Sequence, residues 1–188
     1  EKPIVLYGPG ADSGTFDTFN QAINGSKRDS RSDYVSSEND NVLVQGVASN
    51  SNALGYFGYA YYAANRNKLR ALPVESDQGP VMPSLETVQN GSYSPLSRPV
   101  FIYVNAKSLK DSSSLRAFVQ YYLNNATQLV EKEGSIPLTK AQYLVVKSKM
   151  LKQVQGTAFG GKIPVGLTIS ELLNRNIDQT IKRPEFHQ

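Results

Sequence analysis

The stretch that most constrains the fold lies at the start of the chain, where an apolar run leads through a glycine-rich turn into helical spacing. Residues 4–7 (Ile-Val-Leu-Tyr) predict a strand, and Gly8-Pro9-Gly10 predicts a tight turn. Apolar side chains then recur at residues 16, 19, 22 and 23, which form one face of a helix. A strand, a turn and a helix in this order are typical of an α/β fold.

The alternation of strands and helices continues through the first half of the chain, and helices dominate the second half. Strands are predicted at 3–7, from residue 52, at 69–75 and at 100–104, and helices at 14–24, 38–48, 59–66, 112–131 and 138–153, with short helices after Ser84 and Thr168. Ser37 with Asp40, and Thr168 with Glu171, have the spacing of capping boxes. This order predicts the α/β class with a mixed sheet, and the change of texture near 100–106 predicts a lobe boundary or hinge.

Residue usage excludes several kinds of site. The 188 residues include no cysteine, and the single histidine is His187. These counts exclude disulfides, thiolate catalysis and zinc–cysteine sites, and they disfavour a histidine triad or a histidine metal cluster. The formal net charge is +4, but the basic residues are scattered, which disfavours nucleic acid as a partner. No cofactor and no metal is predicted, and an anionic ligand or an acidic partner suits the charge.

The start of the first helix carries the best candidate for a ligand site. Asp12-Ser13-Gly14-Thr15 places two hydroxyls and a glycine where the first N–H groups of a helix have no intrahelical partner. Together with the helix dipole these amides attract an anion, and Gly14 allows its close approach. Ordinary capping of the helix by Asp12 or Ser13 explains the same residues, and for this motif alone it is the better interpretation.

A second candidate lies in the polar loop Ser30-Arg31-Ser32-Asp33-Tyr34. Arg31 could donate two hydrogen bonds to a phosphate-like anion, and Asp33 could orient Arg31 or accept a proton from a protonated phosphate oxygen. A solvated loop without a specific role is the alternative, and it is the better interpretation for an isolated arginine. Arg98 begins the predicted hinge strand, and a structural role is predicted for it rather than ligand contact.

Longer motifs carry a resemblance to a known family. They are YGPGADSGTFD (7–17), SRSDYVSSENDNVLVQGV (30–47), ALGYFGYAYY (53–62), PLSRP (95–99) and AFGG (158–161). In this order, and over essentially the whole chain, they resemble the phosphate-binding proteins of bacterial Pst-type ABC importers. The motifs are highly specific together, although each is modest alone.

The resemblance implies a periplasmic-binding-protein-like (type II) fold of two α/β lobes that close on phosphate. Residues 1–97 would form part of the ligand-binding middle lobe, 98–105 a hinge or crossover strand, and 106–188 a helical return into the other lobe. The implied partners are inorganic phosphate and an ABC transporter permease, and the implied location is the bacterial periplasm.

The resemblance also implies which residues would bind the ligand. Ser13, Gly14 and Thr15 would hold the phosphate oxygens through amides and hydroxyls. Many relatives carry an arginine four residues before that serine, where this chain has Pro9, so Arg31 is expected to supply the guanidinium instead. Asp12 and Asp33 are the nearby candidates to accept the phosphate proton.

Members of the family carry a substantial N-terminal part before the segment that matches residues 3–16, and the resemblance implies that this part is absent here. The missing segment, or a second copy of the chain, could complete the fold. The leading hypothesis is therefore phosphate capture for an ABC importer, with no chemical step. Two alternatives stay open: a truncated, non-binding relative that serves as an interaction module, and, less favoured, a phosphoryl-handling enzyme with a nucleophile and base or metal carboxylates.

Overall fold

A computed structural model describes residues 2–76, 79–156, 165–166 and 168–174. The strands are β1 (Val5–Gly8), β2 (Val35–Ser36), β3 (Ala53–Gly55), β4 (Val74–Ser76) and β5 (Gly79–Val81). The helices are α1 (Gly14–Asn24), α2 (Asp40–Ser49), α3 (Tyr59–Ala64), α4 (Leu85–Gln89), α5 (Ala106–Asp111), α6 (Ser113–Lys132), α7 (Lys140–Leu151) and α8 (Ile169–Asn174). Both parallel and antiparallel strand pairs occur, so the predicted α/β class with mixed strand directions is confirmed.

The first half of the chain folds as a small parallel sheet with the order β2-β1-β3. Tyr7 on β1 is in register with Val35 on one side and with Gly55 on the other. The connection through α1 leads from β1 to one neighbour, and the connection through α2 leads back across β1 to the other neighbour. The strand order therefore reverses at β1, and the carboxyl ends of β1 and β3 flank the point of reversal.

Helix α2 packs on this sheet and supplies much of the buried core. Leu43 is fully buried and Val44 is buried beside it. The ring of Tyr7 lies against Gly46, where an added Cβ would stand 2.6 Å from Cδ1 and 2.8 Å from Cζ of the ring. The helix can lie this close to the sheet because Gly46 has no side chain.

The second half of the chain is mainly helical, as its sequence predicts. Helix α6 buries Val119, Leu123 and Ala126 along one face. The turn that follows α6 packs on α3, since a Cβ at Gly134 would stand 3.0 Å from the Cβ of Ala60. Gln89 at the end of α4 donates to the carbonyl of Pro137 at 2.8 Å. These contacts join the helical half to the first half. No helix in the part of the chain that the structure describes is long and apolar enough to cross a membrane.

Several predicted elements are confirmed, and others are wrong. Helix α1 begins and ends where it was expected, and Thr168 and Glu171 form their capping box, with Glu171 Oε2 accepting from the Thr168 amide at 2.9 Å. The capping box of Ser37 and Asp40 is wrong, because Asn39 caps α2 and accepts from the Asn41 amide. Ser37 instead accepts from the Asn39 amide in a local turn.

The strand predictions beyond residue 56 are also revised. The predicted strand 69–75 is reduced to β4, and β5 falls within the predicted loop 76–84. Residues 100–104 form no strand, and Val100 is 89% exposed. Their β propensity is high, but no described strand pairs with them, and a strand needs a neighbour for its backbone hydrogen bonds.

The predicted division into 1–97, 98–105 and 106–188 stays a prediction, and so does the hinge role of residues 98–105. The glycine loop predicted at 156–161 and the AFGG motif at 158–161 lie outside the described residues beyond Gly156.

Candidate functional site

The candidate site lies at the carboxyl edge of the parallel sheet, where the strand order reverses. β1 ends at Gly8 and runs through Pro9 to Ser13, the cap of α1, while β3 ends at Gly55 and continues into Tyr56. In open α/β sheets, ligands bind in the crevice outside the carboxyl ends of the strands at such a reversal. The sequence motif at residues 12–15 is therefore carried to the position where this class of fold binds ligands.

The N-terminus of α1 presents backbone donors at this edge. Ser13 is the N-cap, and its hydroxyl oxygen accepts from the Thr15 amide at 3.1 Å. Among the described residues, the amides of Gly14 and Phe16 have no acceptor. The capping interpretation of Ser13 is thus confirmed, but capping leaves two first-turn amides available to an anion.

A guanidinium group lies directly over this helix start. A Cβ added at Gly14 would stand 3.2 Å from Nη2 and 3.3 Å from Nη1 of Arg98. Arg98 lies 84 positions further along the chain, so the fold, and not local sequence, brings the two together. The positive end of the helix dipole and a cation at one place repel each other, and an anion between them would stabilise both.

Aromatic rings form one side of the site. Tyr56 stacks on Phe19 of α1, with ring centroids 3.9 Å apart and planes 14° apart. A Cβ at Gly8 would stand 2.8 Å from Cε1 of Tyr56, so this glycine lets the ring lie against the end of β1. The Tyr34 hydroxyl donates to the carbonyl of Pro9 at 3.0 Å. Burial, and secondly the neighbouring Tyr34, raise the pKa of Tyr56 to about 12.

Carboxyl groups also lie near the turn between β1 and α1. The carboxyl of Glu38 lies against Gly10, whose carbonyl accepts from the Ser13 amide at 3.1 Å. Burial raises the pKa of Asp40, and the nearby Glu38 carboxylate raises it further. One oxygen of the Asp17 carboxyl, in the first turns of α1, is buried and has no hydrogen-bond partner among the described residues. Acidic groups thus border the helix start as well as a cation.

Arg31 and Asp33 contact each other, as their spacing predicts. They form an ion pair in an exposed loop. Arg31 donates from Nε to Asp33 Oδ1 at 2.8 Å and from Nη2 to Oδ2 at 2.5 Å, and both side chains are more than 60% exposed. The hydrogen bond from Arg31 lowers the pKa of Asp33. Asp12 is exposed immediately before the helix cap. No hydrogen bond or ion pair joins the pair to residues 13–15 within the described part of the chain.

Sequence reasoning assigned Arg98 a structural role, whereas the structure places its side chain at the candidate site. The motif Ser97-Arg98-Pro99 is far from the helix start in sequence, and no spacing rule links the two. The glycine at position 14 was the one available signal, because it indicates that something must approach this helix closely. No group of three or more acidic or histidine residues that could hold a metal occurs in the described ranges.

Comparison with known proteins shows the family of the chain. Residues 1–126 match the PBP superfamily domain. Protein SphX of Synechocystis sp. is 49% identical over 175 residues, which cover 93% of this chain and 52% of that protein. The phosphate-binding protein PstS of Staphylococcus saprophyticus is 36% identical over 152 residues, or 79% of this chain and 46% of that protein.

A solved structure supports the same relationship. The crystal structure of a possible phosphate binding protein from Planctomyces limnophilus matches with a TM-score of 0.68 at 41% identity, covering 82% of this chain and 55% of that one. The chain thus spans about half the length of the curated relatives it matches. Because the domain match covers more than half of its residues, the chain belongs to the PBP superfamily.

Proposed function

We propose that this chain binds inorganic phosphate at the N-terminus of α1, as part of a solute-binding protein that delivers phosphate to an ABC transporter. The observation that supports this most strongly is the first turn of α1, where the amides of Gly14 and Phe16 lack acceptors at the sheet's point of reversal. Similarity to proteins named phosphate-binding supports phosphate as the anion. Phosphate offers several acceptor oxygens and a negative charge, which matches amide and hydroxyl donors at a helix start.

The proposed contacts follow from the helix cap. Gly14 would donate its amide, and Ser13 and Thr15 would donate their hydroxyl protons, because the Ser13 oxygen already accepts from an amide in this structure. Hydrogen bonds of this kind to a charged group are stronger than those between neutral groups. The site needs no nucleophile for this task, and no chemical step is proposed.

Arg31, Asp12 and Asp33 complete the proposed set with a different role. Arg31 would have to donate to an anion through its remaining N–H groups, or release Asp33, since its Nε and one N–H of Nη2 are engaged. Asp33, whose pKa is lowered by its hydrogen bond from Arg31, could accept a hydrogen bond from the protonated oxygen of hydrogen phosphate. The carboxyl of Asp12, next to the cap, is the second candidate acceptor. An acceptor of this kind favours phosphate over fully ionised sulfate, because sulfate leaves it unpaired.

The location and partners of the whole protein are also proposals. Because the curated relatives are about twice as long, we propose that a further part of the family fold, or a second copy of this chain, covers residues 100–103. Val100 is 89% exposed and Tyr103 is 76% exposed, which is unusual for a run of β-forming residues. The complete protein would act in the bacterial periplasm and dock on a transporter permease.

The proposal is tested by thermal unfolding in increasing concentrations of phosphate and, separately, of sulfate. A ligand that binds only the folded state raises its stability by about 2.7 kcal/mol at a hundredfold excess over the dissociation constant. We expect phosphate to raise the midpoint more than sulfate at equal ionic strength, and Ser13→Ala to remove the difference. Ser49→Ala, an exposed serine at the end of α2, is the matched control and should keep it. Equal midpoints in phosphate and sulfate for the unaltered chain would refute the proposal.

A further inference from the structure

We infer that Arg98 is the cationic ligand of the anion site at the start of α1 and that it contacts the bound anion directly. This inference rests on the proposed function, because it names a residue of the same site. It assigns to Arg98 the part that the sequence suggested for Arg31.

The guanidinium of Arg98 lies close to the start of α1. Both terminal nitrogens of Arg98, an exposed residue, lie 3.2 and 3.3 Å from the point where a Cβ of residue 14 would stand. An anion that accepts a hydrogen bond from the Gly14 amide would therefore also lie beside the guanidinium of Arg98. A side chain at position 14 would occupy the space between them, so the glycine and the arginine fit one another.

Arg98 also has more available hydrogen-bond donors than Arg31. Among the described residues Arg98 forms no hydrogen bond and no ion pair, so its five N–H donors are not committed to protein groups. Arg31, by contrast, directs two donors at Asp33. A guanidinium binds an oxyanion best through two parallel N–H donors, and Arg98 can offer such a pair without breaking an existing contact.

The position of Arg98 in the chain would link a bound anion to the segment that follows it. Arg98 and Pro99 open the segment 98–105, which belongs to neither of the two sheets formed by the described residues. An anion held by both α1 and Arg98 would therefore connect the first turn of the helix to the start of this segment. Phosphate binding would then restrict the segment as well as the helix start.

The direct test is a phosphate titration of the unaltered chain labelled with nitrogen-15, followed by nuclear magnetic resonance. We expect the backbone amides of Gly14 and Phe16 and the side-chain Nε–H of Arg98 to shift together, with one dissociation constant. The Nε–H of Arg70, an exposed arginine, should stay unchanged and provides the matched control. This measurement needs no substitution and so does not depend on whether a variant folds.

Affinity measurements on variants give the second readout. Arg98→Gln should weaken phosphate binding by about tenfold to a hundredfold, the usual effect of losing hydrogen bonds to a charged group. Arg98→Lys should restore part of the affinity, since it keeps the charge but loses the paired donors. Arg70→Gln removes the same charge elsewhere and should stay within about twofold of the unaltered chain if long-range attraction contributes little.

Each outcome decides between the claims. If Gly14 and Phe16 respond to phosphate while Arg98 does not, or if Arg98→Gln binds within about twofold of the unaltered chain, the inference about Arg98 is overturned and the proposed function stands. If none of these groups responds, the phosphate site itself is absent from this chain, and both claims fail. A common response with a loss of tenfold or more in Arg98→Gln supports both.

Discussion

The ring of Phe19 lies nearly parallel to the ring of Tyr56, with centroids 3.9 Å apart. Phe19 belongs to the middle of α1, and Tyr56 follows β3 directly. This stack therefore holds α1, whose first turn carries the candidate site, against the end of β3. The orientation of the proposed phosphate donors depends on a contact made one and a half turns further along the helix.

Replacing Phe19 with alanine should lower the free energy of unfolding by about 2 to 4 kcal/mol, because it removes both apolar burial and the ring contact. Denaturant unfolding of Phe19→Ala, Tyr56→Ala and the double variant measures this, and we expect the two losses to be clearly non-additive. Ile23→Ala, on an exposed part of the same helix, is the control and should cost about 1 kcal/mol or less. Additive losses would show that the stack contributes no coupling.

The raised pKa of Tyr56 predicts how the protein responds to alkaline pH. The folded state keeps this phenol neutral up to a pKa of about 12, whereas an unfolded tyrosine ionises near its ordinary value of 10.0. The stability that this difference contributes is complete below pH 10 and is lost between about pH 10 and 12. Tyr56→Phe should reduce the alkaline loss of stability, as measured by unfolding midpoints across this range. Tyr103→Phe, at a ring 76% exposed, should not alter the profile.

Gly46 permits the close contact of α2 with the sheet, so its replacement should be costly. Gly46→Ala would gain up to about 1 kcal/mol from helix propensity at an exposed site. Here the added methyl group would overlap the Tyr7 ring, and we expect a net loss of about 1 to 3 kcal/mol. Tyr7→Leu in the same chain should recover part of the loss, while Gln45→Ala, an exposed neighbour, should change stability by less than about 0.5 kcal/mol. A stabilised Gly46→Ala would contradict the packing described for α2.

The raised pKa of Asp40 predicts a second dependence of stability on pH. Its sign is opposite to that of a carboxylate in a salt bridge. Its folded-state pKa is raised, so the folded state binds a proton more readily than the unfolded state does. Stability therefore rises as pH falls through the folded-state pKa, and the ionised group is unfavourable at neutral pH. Asp40→Asn should stabilise the protein at pH 7 and lose this advantage below the unfolded-state value of 3.8. Asp29→Asn, in an exposed loop, is the control, and an equal effect there would contradict the burial of Asp40 as the cause.

The local features of the fold could be predicted from the sequence because they depend on neighbouring residues. The turn from Gly8 to Gly10, the cap at Ser13 and the extent of α1 follow from turn chemistry and apolar spacing over a few residues. The amphipathic α6 follows from the same spacing over a longer range. The position of the candidate site at a helix start was therefore predictable.

Features that depend on distant partners could not be predicted in this way. The sequence Val100-Phe101-Ile102-Tyr103-Val104 has the composition of a strand, but it forms none where no described strand lies beside it. Arg98 reaches Gly14 only through the tertiary fold, so a local interpretation gave it a structural role. The predicted capping box of Ser37 and Asp40 was wrong because Asn39, which is nearer to the first amides of α2, caps the helix instead.

The central claim, that phosphate binds at the first turn of α1, is tested most directly by isothermal titration calorimetry. Phosphate is titrated into the unaltered chain and into Ser13→Ala, whose lost cap should cost only about 1 kcal/mol of stability and leave the chain folded. The account predicts one phosphate bound per chain, with an affinity reduced about tenfold or more in Ser13→Ala. Binding of equal affinity in both chains, or no heat of binding in the unaltered chain, would contradict it.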